Sequence, residues 1–169
     1  MSRVLTRSVP EAERDNDHKT RRNAQIAGVW ANQRARSGGS RSKLKFEGAT
    51  AYSYGTHFPI ARLVTVVDDE EAGTQVLCTT RSRSRSTDRH RCLVLQAARG
   101  AHGWPRVHMV WDVKADTAKE HRKNFDRLVR ETAETARAFC GRPSSAKDLK
   151  VRLGLMLRDA YHYAETIGL

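Results

Sequence analysis

Cysteine is scarce in this chain, long apolar runs are missing, and none of the short catalytic fingerprints is present; each absence removes a class of protein. The three cysteines, Cys78, Cys92 and Cys140, are an odd number and form no C-x-x-C pair, so no disulfide framework is expected and a reducing compartment is the simplest setting. No stretch approaches the roughly 18 to 20 apolar residues of a membrane span, and the N-terminus lacks the apolar core of a secretory signal. The expectation is a soluble, cytoplasmic protein with no membrane partner. There is no H-E-x-x-H, no P-loop and no dinucleotide fingerprint, and Gly38-Gly39 lacks the strand and lysine that a phosphate cradle requires. No repeat of useful period occurs. Hydrophobic residues make up only 38%, below the ordinary globular range, so part of the chain is expected to stay outside the core.

What is present in excess is positive charge. Over 169 residues, 31 Lys and Arg stand against 19 Asp and Glu, a net +12. Such a balance favours polyanionic partners, nucleic acid first and an anionic membrane or an acidic protein next. The excess is gathered in two places. Met1 to Lys45 carries 11 basic and 4 acidic residues, and Arg81 to Arg99 carries 6 basic and 1 acidic, so these two segments account for the whole net charge.

The length suits one domain with an appended arm. Residues 1–45 read as that arm, in which a helix opening at Pro10-Glu11 places Ile26, Val29 and Trp30 on a narrow apolar stripe that must dock or stay mobile. Ser37-Gly38-Gly39-Ser40 reads as a flexible break among Arg34, Arg36, Arg41, Lys43 and Lys45. Residues 46–169 read as a single α+β domain, with a small antiparallel sheet and one packed helix over 46–115 and an antiparallel helical hairpin over 116–169. Tyr52, Tyr54, Thr56 and Phe58 alternate with small or polar residues, a strand period, and Pro59 marks an edge, a bulge or a strand start. Ile60 to Val67 and Thr74 to Thr80 form a hairpin around the acidic turn Asp68 to Gly73. Arg106 to Val113 alternates as a strand with Val107, Met109, Trp111 and Val113 on its apolar side. Thr117-x-x-Glu120 is a capping box that opens a helix with a Phe125, Leu128, Val129, Thr132, Ala136 and Phe139 stripe. After Gly141-Arg142-Pro143, a second helix carries Leu149, Leu153, Met156, Leu157, Ala160 and Ala164 on one side. Leu155 and Ile167 fall outside that stripe and are free to meet the sheet or a second copy of the chain.

The stretch Thr79 to Gly100 joins the densest charge to the clearest change from strand to helix. Arg81, Arg83 and Arg85 alternate with serines, then Ser86-Thr87-Asp88 supplies the side-chain oxygens that satisfy a first helical turn, so a helix is predicted from Ser86 or Thr87 to Gly100. His90, Leu93, Val94 and Ala97 share one face of it. If extended, the Arg-Ser run is a comb whose arginines stand about 6 to 7 Å apart, close to the spacing of phosphates along a strand. In that reading Arg81, Arg83, Arg85 and Arg89 track a phosphate backbone, Ser86 and Thr87 add hydroxyl contacts, and Tyr52 or Tyr54 stacks on a base. Arg34, Arg36, Arg41, Lys43 and Lys45 supply the second basic group. His90 reads either as a core histidine or as a phosphate donor or base. His57, Cys78, His90 and Cys92 converge if the hairpin packs on the helix, but their spacing resembles no finger or ribbon, so no metal and no cofactor is expected.

Around the same residues the sequence resembles a small uncharacterised domain of phage, plasmid and other mobile-element proteins. The matching residues are Tyr52-Ser53-Tyr54-Gly55-Thr56, Ile60-Ala61, and Thr79-Thr80 followed by Ser84, Ser86-Thr87 and His90. The family carries a Tyr-Ser-Tyr-x-Thr strand before a Ser-x-Thr-Thr-x-x-His helix start, and the match covers about a quarter of the chain. This sequence departs from it by placing arginine between the serines and by inserting Phe58-Pro59. The resemblance implies a mobile-element origin and a small α/β domain, and it transfers no activity. The expectation is a non-enzymatic nucleic-acid-binding accessory protein acting in the host cell of a phage or mobile element. The alternative is an interaction or assembly protein, an inhibitor of a host nucleic-acid enzyme or a virion component, that forms oligomers through the C-terminal helices.

Overall fold

The structure, a computed structural model, describes residues 11–39, 43–67, 72–81, 83–139, 146–166 and 168. It is an α+β fold whose first helix, α1 (Glu11–Ala31), precedes five strands: β1 (Ser37–Gly39), β2 (Leu44–Glu47), β3 (Thr50–Ser53), β4 (Pro59–Val67) and β5 (Ala72–Thr79). Then follow α2 (Arg85–His102), a 3-10 turn at Trp104–Arg106, β6 (Val107–Val110), α3 (Ala118–Phe139) and α4 (Ala146–Thr166). The six strands make one sheet in chain order; every neighbouring pair is antiparallel except β5 and β6, which run parallel. A parallel neighbour needs a crossover, and α2 is that crossover.

Helices cover the sheet from both sides. On one face Ala61, Val76 and Cys78 pack with Trp30 of α1 and with Val94 and Ala98 of α2. On the other, Val64, Leu77 and Val110 meet Leu128 of α3 and Ala160 and Tyr163 of α4. Alternation along β5 thus sends Val76 and Cys78 to one core and Leu77 to the other, as the period of two requires. The outer face of β2 has no such cover: Leu44 and Phe46 point inward, while Lys45 and Glu47 are exposed.

The apolar stripe of the first 45 residues is docked. Ala27, Trp30 and Ala31 are buried in the same core as the sheet, and the Trp30 indole N–H donates to the Ala49 carbonyl at 3.0 Å. The helix ends in a Schellman arrangement, Gln33 N–H to Trp30 O at 3.0 Å and Arg34 N–H to Val29 O at 3.0 Å, with Gln33 at φ 51°. Ser37-Gly38-Gly39 is a strand, not a flexible break. At Gly38 a Cβ would stand 2.5 Å from the Phe46 ring, so glycine lets β1 close over that ring.

Two further expectations are corrected. Tyr52 to Phe58 is not one strand: β3 stops at Ser53, because Tyr54 and Gly55 take positive φ values of 60° and 102°, and Pro59 opens β4. The strand read over 106–113 ends at Val110, and it has no polar side: His108 and Val110 are buried toward α3 and α4, while Val107 and Met109 pack toward α2. Leu155 is 45% exposed on α4, which leaves it open to a second copy of the chain. The acidic turn at 68–71, Ile167 and the link at 140–145 lie outside the described residues.

The capping box is formed: Glu120 Oε2 accepts from the Thr117 N–H at 3.1 Å, and Thr117 Oγ1 accepts from the Glu120 N–H at 3.3 Å. The early turns of α3 meet the end of α4 and its later turns face Arg152 and Met156, so the pair is antiparallel. Its anchor is Tyr163, which is fully buried. The Tyr163 hydroxyl accepts from Asn124 Nδ2 at 3.2 Å and lies 2.7 Å from His121 Nδ1, while Asn124 also brackets the backbone of Asp112. Burial pushes the Tyr163 hydroxyl up to about 12.

His108 is buried under this pair, with Nε2 3.1 Å from Gln75 Oε1, and burial pulls it down from 6.5 to about 4. The unfolded chain therefore takes up a proton near pH 6.5 that the folded chain refuses until about 4. Stability from this site is complete above 6.5 and declines as pH falls toward 4, by up to about 3 kcal/mol. Burial lowers His121 as well, in the same direction. Urea unfolding across that pH range should record the decline, and His108→Gln should flatten it.

Candidate nucleic-acid interface

The site is assembled where β5 and β6 end side by side. Past its last ladder position β5 is tied to the exit of β6: the Thr80 N–H donates to Val110 O at 2.7 Å, and the Thr79 hydroxyl donates to Trp111 O at 3.0 Å. Thr79 Oγ1 also accepts from the Arg81 N–H at 3.1 Å, turning the chain out of the sheet. Arg81 and Trp111 thereby become neighbours although thirty residues of chain lie between them. The helix cap is Ser84, at φ −163° and ψ 162°, whose Oγ accepts from the Thr87 N–H at 3.2 Å. The predicted cap at Ser86 or Thr87 is thus displaced toward the N-terminus, so Ser86 lies within the first turn and Thr87 is buried. The helix also runs past Gly100 to His102, where Gly103 at φ 80° caps it.

This geometry changes the arginine comb. Ser84 is extended and α2 begins at Arg85, so Arg85 and Arg89 occupy its first turns while Arg81 and Arg83 both reach the Phe58 ring. The guanidinium of Arg83 lies 4.8 Å from the centre of the Phe58 ring and that of Arg81 lies 5.7 Å from it. Arg81 is also 5.4 Å from the Trp111 ring, which Arg127 of α3 approaches to 4.3 Å. Arg83, Phe58, Arg81, Trp111 and Arg127 form a ladder in which cation and ring alternate. Each such contact contributes about 0.5 to 2 kcal/mol and leaves the guanidinium N–H groups free to meet an anion. Among the described residues none of Arg81, Arg83, Arg85 and Arg89 is ion-paired with a carboxylate. The carboxylates nearby are engaged: Asp88 with Arg91 at 3.1 Å, and Glu131 with Arg127, the end cation of the ladder, at 3.0 Å.

Beside the ladder lies a cleft of about 250 Å³ lined by Ser53, Tyr54, His57, Phe58, Arg83, Ser84 and Thr87. Its floor is held by a hydrogen bond between Ser53 Oγ and His90 Nδ1, 2.9 Å apart and buried, which places His90 in the core. The exposed Tyr54 ring tilts over His90 at 5.6 Å and carries Lys43 Nζ at 5.1 Å. Tyr54 and Lys43 both hold left-handed backbone, at φ 60° and 73°, joined by the Tyr54 N–H to Lys43 O bond of 2.9 Å. Strain of this kind, roughly 1 to 3 kcal/mol per residue, persists only where the surroundings enforce it.

The second basic group is only partly gathered here. Lys43 reaches the site through Tyr54. Arg34 and Arg36 are exposed between α1 and β1, and Lys45 pairs in register with Tyr52 on the uncovered face of the sheet. Tyr52 therefore lines a separate hollow with Lys45 and Glu47. Arg41 lies outside the described residues. Three members of the site carry no signal in the sequence: Phe58 and Trp111 read as strand residues, and nothing singles out Arg127. Among the described residues no group of three His, Cys, Asp or Glu side chains is placed to hold a metal. Cys78 is fully buried and its thiol is pushed up to about 12, by burial against the opposing pull of Arg99 and Arg91, whereas Cys92 is exposed on α2.

Comparison with known proteins gives no match: no family model, no curated protein and no solved structure is similar to this chain. The hydroxyl and aromatic residues of the two motifs behind the mobile-element resemblance divide between two places, with Tyr52 and Thr56 in the separate hollow. Ser53 and Tyr54, Ser84 and Thr87, and His90 all contribute to the cleft or its floor.

If Ser84 caps α2, Ser84→Ala should cost about 1 kcal/mol in urea unfolding. Ser86→Ala, at a position inside the first turn, should stay within about 0.5 kcal/mol of the parent.

Proposed function

We propose that the chain is a non-enzymatic nucleic-acid-binding accessory protein that holds the phosphate backbone with little sequence preference. The observation that carries this reading is the ladder of guanidinium and aromatic groups beside Arg85 and Arg89. Among the described residues none of Arg81, Arg83, Arg85 and Arg89 is paired with a carboxylate, and the first two are held on ring faces. Cations held on ring faces have already lost much of their rotamer freedom, so less entropy remains to be lost when a phosphate arrives. Tyr54, 38% exposed, and Trp111, 37% exposed, offer ring surface for unstacked bases, which favours single strands. Lys43 adds a further cation over Tyr54. The resemblance at Tyr52 to Thr56 and at Ser84 to His90 supports an origin in a phage or other mobile element.

Fluorescence anisotropy with labelled single- and double-stranded oligonucleotides tests this reading. Affinity should fall steeply with salt, and the triple variant Arg83→Ala, Arg85→Ala, Arg89→Ala should weaken binding for every sequence. It should also reduce the slope of log K against log salt by about 2 to 3. Absence of binding below about 10 µM at 50 mM salt would overturn it.

A second reading, self-assembly through α4, draws on one observation. Val151, Leu155, Leu157 and Tyr161 are 59, 45, 54 and 65% exposed on that helix. Light scattering should then report a dimer that Leu155→Glu converts to a monomer; a monomeric parent at 100 µM, about the upper range of ordinary assays, removes this reading.

A further inference from the structure

A second cleft lies at the opposite end of α2, where β6 begins. It encloses about 320 Å³ between the Trp104 turn and α4, and its lining is Trp104, Val107, His108, Arg158, Asp159 and His162. Trp104 is 57% exposed, yet its indole is held: the Arg99 guanidinium lies 3.3 Å from the ring centre, and Gly103 at φ 80° sets the turn that presents the ring. Arg99 Nε is itself enclosed and has no hydrogen-bond partner among the described residues, so this guanidinium serves as backing for the indole. A large aromatic side chain held open beside polar groups is a wall for a flat ligand.

The polar groups narrow the choice. Asp159 Oδ1 is 4.0 Å from Arg158 Nη2, beyond hydrogen-bond distance, so the carboxylate retains accepting capacity inside the cleft. Burial raises its proton affinity, the sign of a carboxylate short of donors. His108, kept neutral by burial, is committed to Gln75. His162 leans on Glu165 at 3.6 Å. The unmet need is thus for a planar group with adjacent N–H donors. An organic cation would supply them, but Arg99 and Arg158 together outweigh Asp159 and oppose it. Among the neutral nucleobases, guanine presents two adjacent donors, N1–H and N2–H₂, on one edge.

We infer that the cleft between the Trp104 turn and α4 binds a guanine nucleotide, with the base against Trp104, its N1–H and N2–H₂ edge on the Asp159 carboxylate, and its phosphate toward Arg158. The guanine is that of a free nucleotide or of a base within a strand, two sources with the same recognition chemistry. This site is separate from the arginine ladder, so either can fail without the other.

Isothermal titration of the full chain with GMP, AMP and CMP is the direct test. GMP should bind saturably and about tenfold more tightly than AMP or CMP, the discrimination of one two-point contact. Trp104→Ala, at an exposed position, should abolish binding, and the isosteric Asp159→Asn should equalise the three nucleotides while leaving the thermal melt unchanged. Ladder variants at Arg83, Arg85 and Arg89 should leave GMP affinity unaltered. Repeating the titration in the Arg83→Ala, Arg85→Ala, Arg89→Ala variant with oligothymidine that carries one guanine or none separates the sources: binding tighter than GMP that requires the guanine assigns a base within a strand, equal or weaker binding a free nucleotide. Equal affinity for the three nucleotides in the parent, no binding at about 1 mM, the weak limit for a specific site, or loss of GMP binding in the ladder variant would overturn the assignment.

Discussion

Everything at the candidate interface depends on β6 lying parallel to β5. Antiparallel neighbours end at opposite edges of a sheet, and the exits of β5 and β6 would then lie a strand length apart. In parallel they end together, and Thr79 and Thr80 bond directly to the chain at Val110 and Trp111. The same pairing obliges a crossover, which the sequence supplies as α2, and so brings a helix N-terminus to the place where the two strands stop. Burial of β5 on both faces keeps the pairing in register, because a slip of one residue would exchange Leu77 with Val76 and Cys78 between two different cores.

On that frame the electrostatics are uncommon for a folded domain. Clustered arginines repel one another, and most proteins offset the repulsion with carboxylates. Here the ring faces of Phe58 and Trp111 do much of that work, and among the described residues an acid is engaged only at Arg127, the far end of the ladder, through Glu131. A carboxylate would have cancelled the field that a polyanion feels, whereas a ring leaves it in place. Phe58 itself is 4% exposed, so one rung is anchored in the core and the guanidiniums above it are positioned by packing.

The strained turn fits the same logic. Tyr54 and Lys43 adopt backbone that their side chains disfavour, and Gly55 at φ 102° brings the turn back toward β4, where Phe58 enters the core. A relaxed continuation of β3 would have carried Tyr54 along the strand and away from His90. Pro59 cannot give a ladder N–H and is accepted as the first residue of β4.

Local chemistry determined much of this protein in advance. The capping box at Thr117 and Glu120, the hairpin of β4 and β5, the burial of His90 and Val94 on one face of α2 and the apolar stripe ending at Trp30 follow from periodicity and from side-chain oxygens near free N–H groups. Such interactions span only a few residues. Short strands such as β1 carry too few residues for a period to register, and the alternation from Tyr52 to Phe58 concealed a left-handed pair that a two-residue period cannot distinguish from strand. The sequence places the start of the helix at Ser86 or Thr87, because their oxygens are followed by the helical period. Ser84 serves as the cap instead, because the hydrogen bonds at Thr79 and Thr80 decide where the chain leaves the sheet. The ladder joins positions 58, 81, 111 and 127, whose proximity comes from strand order alone, and cation–ring contacts leave no spacing rule in a chain. Where elements form was therefore written in neighbouring residues, while which cations meet which rings was decided by the parallel seat of β6, since only tertiary packing brings such distant segments within 6 Å.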